Sequence, residues 1–177
     1  MQLFARKGYD AVGVQEIVDA AGITKPTLYH YFGSKRGLLD SIIAENMSKF
    51  FPQLEETAEY KRDITNSLNR LTLLYFNFAQ KHRDFYRMLL SMWFAPPESE
   101  VFKAIFPVME RQQRIFEDLF LKAANDHGNM KGRHRIYAST FLGMLNTYIG
   151  LLLNDFVKPD NNLVYRLVHQ YMHGIFS

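Results

Sequence analysis

The stretch VGVQEIVDAAGITKPTLYHYFGSKRGLL, residues 12–39, decides how the chain is read. Val14, Ile17, Val18 and Ala21 stand at i, i+3, i+4 and i+7, the spacing of one helical face. Gly22 follows where a helix ends most readily in a left-handed residue, and Ile23 is placed to reach back onto the apolar face. Thr24 offers a hydroxyl to cap the next helix, and Pro26 falls in its first turn, where a missing N–H is no loss. That second helix, residues 25–32, sets Leu28 and Phe32 toward the interior and directs Lys25, Thr27, Tyr29 and His30 elsewhere. Ser34 then caps a third helix that begins at Lys35 and Arg36.

Two short helices joined this way form a helix-turn-helix, whose second helix lies in the DNA major groove. Between residues 24 and 36 stand Lys25, His30, Lys35 and Arg36, with no acid. Thr27, Tyr29 and Tyr31 add hydroxyls for phosphates or base edges, and Pro26 or the Thr27 methyl can meet a thymine methyl. Periodicity alone equally allows a helical hairpin with a solvated basic face.

The residues themselves narrow the choice. LFARKGYDAV (residues 3–12) and AAGITKPTLYHYFGSK (residues 20–35) resemble the N-terminal DNA-binding domain of the TetR/AcrR family of transcriptional regulators. The likeness is dense over residues 3–39 and covers about a fifth of the chain. It implies that Gln15, Lys25, Thr27, Tyr29 and His30 read bases, with Pro26 beside them and Thr24 capping the same helix. Tyr31 and Lys35 fall where the family holds phosphates. Two residues depart from the pattern. Gly13 replaces a Ser or Thr that opens the helix before the turn, and Val18 replaces a smaller Ala. Glycine caps tolerably but brings no hydroxyl to a phosphate.

The remainder reads as helices throughout, so an all-α fold is expected. A helix-turn-helix DNA-binding domain would occupy residues 1–46, and a helical effector-binding and dimerisation domain residues 47–177. Residues 1–6 read as the last turns of a first helix that begins upstream, with Leu3 and Phe4 packing under the recognition helix. The helix from Lys35 carries Leu38, Leu39, Ile42, Ile43, Met47 and Phe50 on one stripe, and Pro52 is expected to end or kink it. As the one continuous link between the two parts, it would carry any signal between them. Further helices are expected over residues 63–82, 83–94 and 98–125, the last broken or kinked at Pro107.

The helix over residues 133–156 is apolar around most of its girth, which requires cover on more than one side. Ser139, Gly143, Thr147 and Gly150 form a row of small residues along it. The final helix carries Leu163, Val164, Leu167, Val168, Tyr171, Met172 and Ile175. Together they suggest half of a four-helix homodimer interface using Ser139, Gly143, Thr147, Gly150, Leu163, Leu167 and Tyr171. The same stripes also suit core helices of a monomer.

An aromatic- and methionine-rich middle suggests an apolar effector pocket formed by Phe78, Met88, Met92, Trp93, Phe106, Met109, Phe141, Met144 and Tyr148. Aromatic residues at helical spacing equally pack as plain core. His169 and His173 have a chelating spacing but no carboxylate at a matching offset, so no metal and no cofactor are expected. His82, Arg83 and Asp84 span a helix boundary where such charges are ordinary dipole partners. No GxSxG, HExxH or glycine-rich phosphate loop occurs, and without cysteine neither disulfides nor thiol chemistry is open, so no enzyme is expected. The net charge of +3 suits a local DNA-binding patch and argues against a non-specific nucleic-acid coat. No signal or membrane-spanning run stands out, and a cytoplasmic protein is expected.

The functional expectation is a homodimeric regulator that binds double-stranded operator DNA, a repressor released by a small lipophilic or aromatic effector. The alternative is a helical small-molecule-binding or dimerisation protein without DNA binding.

Overall fold

The computed structural model describes residues 1–174, so Ile175 lies outside the described residues. The described residues form nine α-helices, one 3-10 turn and no strand. In order these are α1 (Gln2–Lys7), α2 (Val14–Ala21), α3 (Lys25–Phe32), α4 (Lys35–Thr57), α5 (Ile64–Lys81), α6 (Arg83–Trp93), α7 (Glu100–Asp126), the 3-10 turn (Gly128–Met130), α8 (His134–Leu153) and α9 (Asn161–His173). They divide into two compact units that do not follow chain order. One comprises Met1–Lys49 with Arg83–Met109, the other Phe50–His82 with Glu110–Ser177. Both α4 and α7 contribute to each unit, so α4 is not the one continuous link expected.

In the first unit Phe4, Val12, Ile17, Val18, Leu28 and Leu39 are buried. The main packing partner of α1 is α6, not the recognition helix, and α6 supplies the buried Phe85, Met88 and Met92. Ile23 stays 37% exposed; its N–H bonds the Val18 carbonyl, so the turn closes through backbone and leaves the side chain outside.

The second unit is built on aromatic residues in file. Phe50 meets Tyr75 edge-on at 5.1 Å, Tyr75 meets Phe116 at 5.9 Å, Phe116 meets Phe141 at 5.6 Å and Phe141 meets Tyr171 at 5.0 Å. A buried polar pair interrupts this apolar file, with Gln112 Nε2 donating to Tyr75 Oη at 3.1 Å. Pro52 neither ends nor breaks α4, which continues to Thr57. Buried Phe50, Phe51 and Leu54 flank it, and their burial offsets the roughly 3 kcal/mol that proline costs inside a helix. Likewise α7 continues through Pro107.

By length and composition α8 could cross a bilayer, contrary to the sequence expectation. Its apolarity is used against α5, with Phe141, Leu142, Leu145, Ile149 and Leu152 buried. Leu167 is buried and Tyr171 donates its hydroxyl to the Tyr137 carbonyl at 2.8 Å, so these two pack inside the protomer. Ser139, Gly143 and Thr147 are exposed on α8, Gly150 and Leu163 are half-buried, and a side chain at Gly143 would meet open space.

Candidate nucleic-acid interface

The geometry of α3 follows from its ends. Gly22 ends α2 at φ 65°, in the left-handed region expected of it, and the chain turns at once into Thr24. Thr24 caps α3, its Oγ1 accepting from the Thr27 N–H at 3.3 Å and lying 2.9 Å from the Thr27 hydroxyl. Pro26 lies in the first turn. At the other end Ser34 opens α4 by accepting from the Gly37 N–H at 2.9 Å. These caps satisfy helix-end donors that would otherwise need water.

Leu28 is buried and Phe32 half-buried, which orients the rest of α3 outward. Lys25 and Tyr29, and likewise Pro26 and His30, are four apart and exposed on one face. Tyr29 is 47% and Tyr31 74% exposed, and the His30 and Tyr31 rings meet edge-on at 5.2 Å. Gln15 is exposed on α2 with its amide on Asp19 Oδ1 at 2.7 Å. The short helix α3 thus presents a cation, an imidazole and phenol hydroxyls with little apolar cover, and α2 adds the Gln15 amide, the groups that bond phosphates and base edges.

Two basic residues expected to serve that face are engaged elsewhere. Lys35 places its ammonium 3.1 Å from the carbonyl oxygens of both Tyr9 and Val12 and 4.2 Å from the Tyr9 ring centroid. It ties the loop before α2 to the start of α4. Arg36 donates to Asp40 at 2.8 Å and to the Glu100 carbonyl at 2.7 Å. Among the described residues Lys25 is therefore the lysine or arginine of this stretch without a side-chain partner.

Three residues essential to this geometry were not singled out from sequence. At Gly37 an added Cβ would lie 1.9 Å from the Phe32 carbonyl oxygen, so only glycine lets α4 begin this close to the end of α3. A glycine in the first turn of a helix, against propensity, was the available signal. Tyr9 donates its hydroxyl to Glu100 Oε2 at 2.9 Å. Burial and this bond push the Tyr9 phenol pKa well above its usual value, so it remains a donor. With Arg36 on the Glu100 carbonyl, Tyr9 forms a latch from the helix-turn-helix segment to the N-terminus of α7. Its partners are 91 and 64 residues apart, beyond any local motif.

The nine aromatic and methionine residues expected to form a pocket divide between the units. Met88, Met92, Trp93, Phe106 and Met109 belong to the first, and Phe78, Phe141, Met144 and Tyr148 to the second. Phe106 is 48% exposed, stacks on Phe102 at 5.6 Å and with it, Pro97 and Pro107 lines a small surface pocket. The imidazoles of His169 and His173 stack at 4.5 Å on an exposed face. No group of three or more potential metal ligands occurs among the described residues.

The family model described as "Bacterial regulatory proteins, tetR family" matches residues 1–42. The chain is 37% identical over 103 residues to the HTH-type transcriptional regulator YuxN of Bacillus subtilis, covering 57% of this chain and 35% of that one. It is 27% identical over 88 residues to the transcriptional activator FasR of Mycolicibacterium smegmatis, covering 50% and 40%. The chain thus spans well under half the length of these curated relatives. Among solved structures, the fatty acid degradation regulator FadR from Bacillus halodurans superposes with a TM-score of 0.80 at 20% identity, covering 99% of this chain and 91% of that one. FadR from Bacillus subtilis in complex with stearoyl-CoA superposes with a TM-score of 0.79 at 19% identity, covering 98% and 94%. At these identities the two structures establish the fold.

Proposed function

The chain belongs to the TetR family, and from that premise we propose that it is an effector-responsive transcriptional regulator that binds operator DNA through α3. The exposed face of Lys25, Pro26, Tyr29 and His30 on a helix capped at its start carries this reading. It acts in the cytoplasm as a homodimer, so that two copies of α3 meet half-sites about 34–36 Å apart or a multiple of that. The exposed row Ser139, Gly143 and Thr147, with Gly150 and Leu163, supports α8 and α9 as the dimerisation face.

We assign it the role of a repressor released by a lipophilic effector. The stearoyl-CoA complex of a fold neighbour supports an effector of that character. The effector binds within the helical body and shifts α7, whose first turn is latched to Tyr9 and Arg36. A ligand can move the equilibrium only by its differential affinity for the two arrangements, and the coupling is reciprocal.

The test is selection of duplexes from random DNA with the purified protein, followed by binding measured against salt. Selection of a palindromic site bound far more tightly than random duplex is the expected result. Equal binding of selected and random duplexes would sink the regulator reading.

A further inference from the structure

Phe94, just past the end of α6, is 89% exposed, more than any other large apolar side chain among the described residues. It is not carried on a loose tail. The Ala95 N–H bonds the Met92 carbonyl at 3.2 Å, Pro96 and Pro97 follow with fixed φ, and the Ser99 N–H bonds the Pro96 carbonyl at 2.9 Å. Ser99 Oγ then accepts from the Phe102 N–H at 3.1 Å, which starts α7. A bonded turn therefore holds a phenyl ring out in water, where covering it is favourable in proportion to the area removed from solvent.

The same unit offers a place for such a ring. Pro97, Phe102, Lys103, Phe106 and Pro107 line a surface pocket of about 220 Å³. The walls are rings and prolines, with Phe102 and Phe106 one turn apart on α7. An apolar cavity of roughly 150 Å³ accepts benzene, so a phenyl ring fits this one. Its edge carries one charge of each sign: Lys103 Nζ lies 3.3 Å from Glu98 Oε2, with the two side chains 57% and 94% exposed. A protruding ring, a ring-sized pocket and a balanced ion pair within residues 94–107 make this surface complementary to itself, which is the requirement of a two-fold contact. Glu98 and Glu100 against Lys103 disfavour nucleic acid or an anionic membrane as its partner.

We propose that Phe94 of one copy seats in the Phe102–Phe106 pocket of a second copy, and reciprocally, with each Lys103 meeting the second copy's Glu98. So few side chains cover well under the roughly 800 Å² per partner of a stable interface, so this contact does not hold two free chains together. It forms once another face has joined them and raised their effective concentration, and in that respect it rests on the homodimer reading. Its use follows from its place. It clasps the two first units, and so fixes the spacing of the two copies of α3.

The chain has no cysteine, so introduced thiols report alone. Two differently tagged full chains, one Phe94→Cys and the other Phe106→Cys, are produced together and mildly oxidised. A reducible covalent pair carrying both tags is the expected product. It should exceed severalfold the pair formed when Phe94→Cys is combined with Phe156→Cys, a 76% exposed position in the second unit. Phe94→Ser, with an unaltered circular dichroism spectrum, should still sediment as a dimer. Its affinity for a selected palindromic duplex should fall by about tenfold, because the two recognition helices lose their fixed spacing. A protein that sediments as a dimer yet links Phe94→Cys to Phe106→Cys no better than to the control would overturn the proposal. The pocket would then belong to an apolar small molecule or an unrelated protein. A wild type that is monomeric at micromolar concentration would sink the homodimer reading and this contact with it. Efficient linking with undiminished duplex affinity of Phe94→Ser would uphold the contact and remove its role in spacing. Efficient linking in a protein that selects no duplex would leave the contact standing and sink only the regulator reading.

Discussion

In the first unit Lys35 reaches two backbone carbonyls, Arg36 and Tyr9 grip Glu100, and Gly37 admits a carbonyl where a methyl would collide. In the second, Phe50, Tyr75, Phe116, Phe141 and Tyr171 stack ring on ring with the buried Gln112–Tyr75 bond among them. The first unit is specified by directional contacts, each tolerating few residue types. The second is specified by volume and apolarity, which many sequences satisfy. A unit that presents one helix to a rigid duplex needs orientation fixed to fractions of an ångström. On the proposed function, the second unit needs mainly a filled core with room to adjust.

The contrast breaks most visibly in the second unit. Phe116→Ala empties a fully buried position in the aromatic file and should cost about 3–5 kcal/mol in chemical denaturation. A loss below 1 kcal/mol would mean that the file is loosely packed and that volume does not specify this unit.

Gly37→Ala adds one methyl on the surface of the first unit, yet the collision is with backbone rather than a movable side chain. About 1–3 kcal/mol of stability should go, with loss of duplex binding as α3 is displaced. Unchanged duplex affinity would show that α3 does not need this close approach.

Tyr9→Phe keeps the ring under Lys35 and removes the donor to Glu100. The expected loss is about 0.5–1.5 kcal/mol. The reading specific to the latch is effector response, which should weaken while duplex affinity without effector holds. A response identical to wild type would remove α7 as the route.

Lys25→Ala should change stability by no more than about 0.5 kcal/mol, since its side chain has no partner among the described residues. Duplex affinity should fall all the same, and the salt slope should flatten by about one if the contact is to phosphate. Tyr29→Ala should instead alter which sequence is preferred. An unaltered affinity in both variants would move the DNA-reading face off α3.

Much of the first unit was legible because its determinants are local. Gly22, the Thr24 cap, Pro26 and Ser34 act within four residues of where they stand, so the boundaries of α2 and α3 could be read directly. The outward face of α3 followed from Leu28 and Phe32 turning in. What the sequence left unread was tertiary. Nothing in a basic run says that one of its lysines, Lys35, reaches two carbonyls 26 and 23 residues earlier. The stripe on α9 mixed Leu167 and Tyr171, packed within the protomer, with Met172, which is exposed. Periodicity selects a face but does not say what covers it.

Helical periodicity, caps and breakers by themselves determined the all-α fold and the residues α3 could present, and the family resemblance of residues 3–39 singled out the helix-turn-helix. Each of these is set by interactions within one or two turns of chain. Tertiary structure alone decided that α6 and the start of α7 join the N-terminal segment, that Pro52 is absorbed into α4, and that Glu100 is held by Tyr9 and Arg36. It also set a cavity beside residues 127–130, away from the aromatic cluster that composition favoured. A cavity is what side chains from distant elements fail to fill when they meet, and only the assembled packing fixes where that occurs.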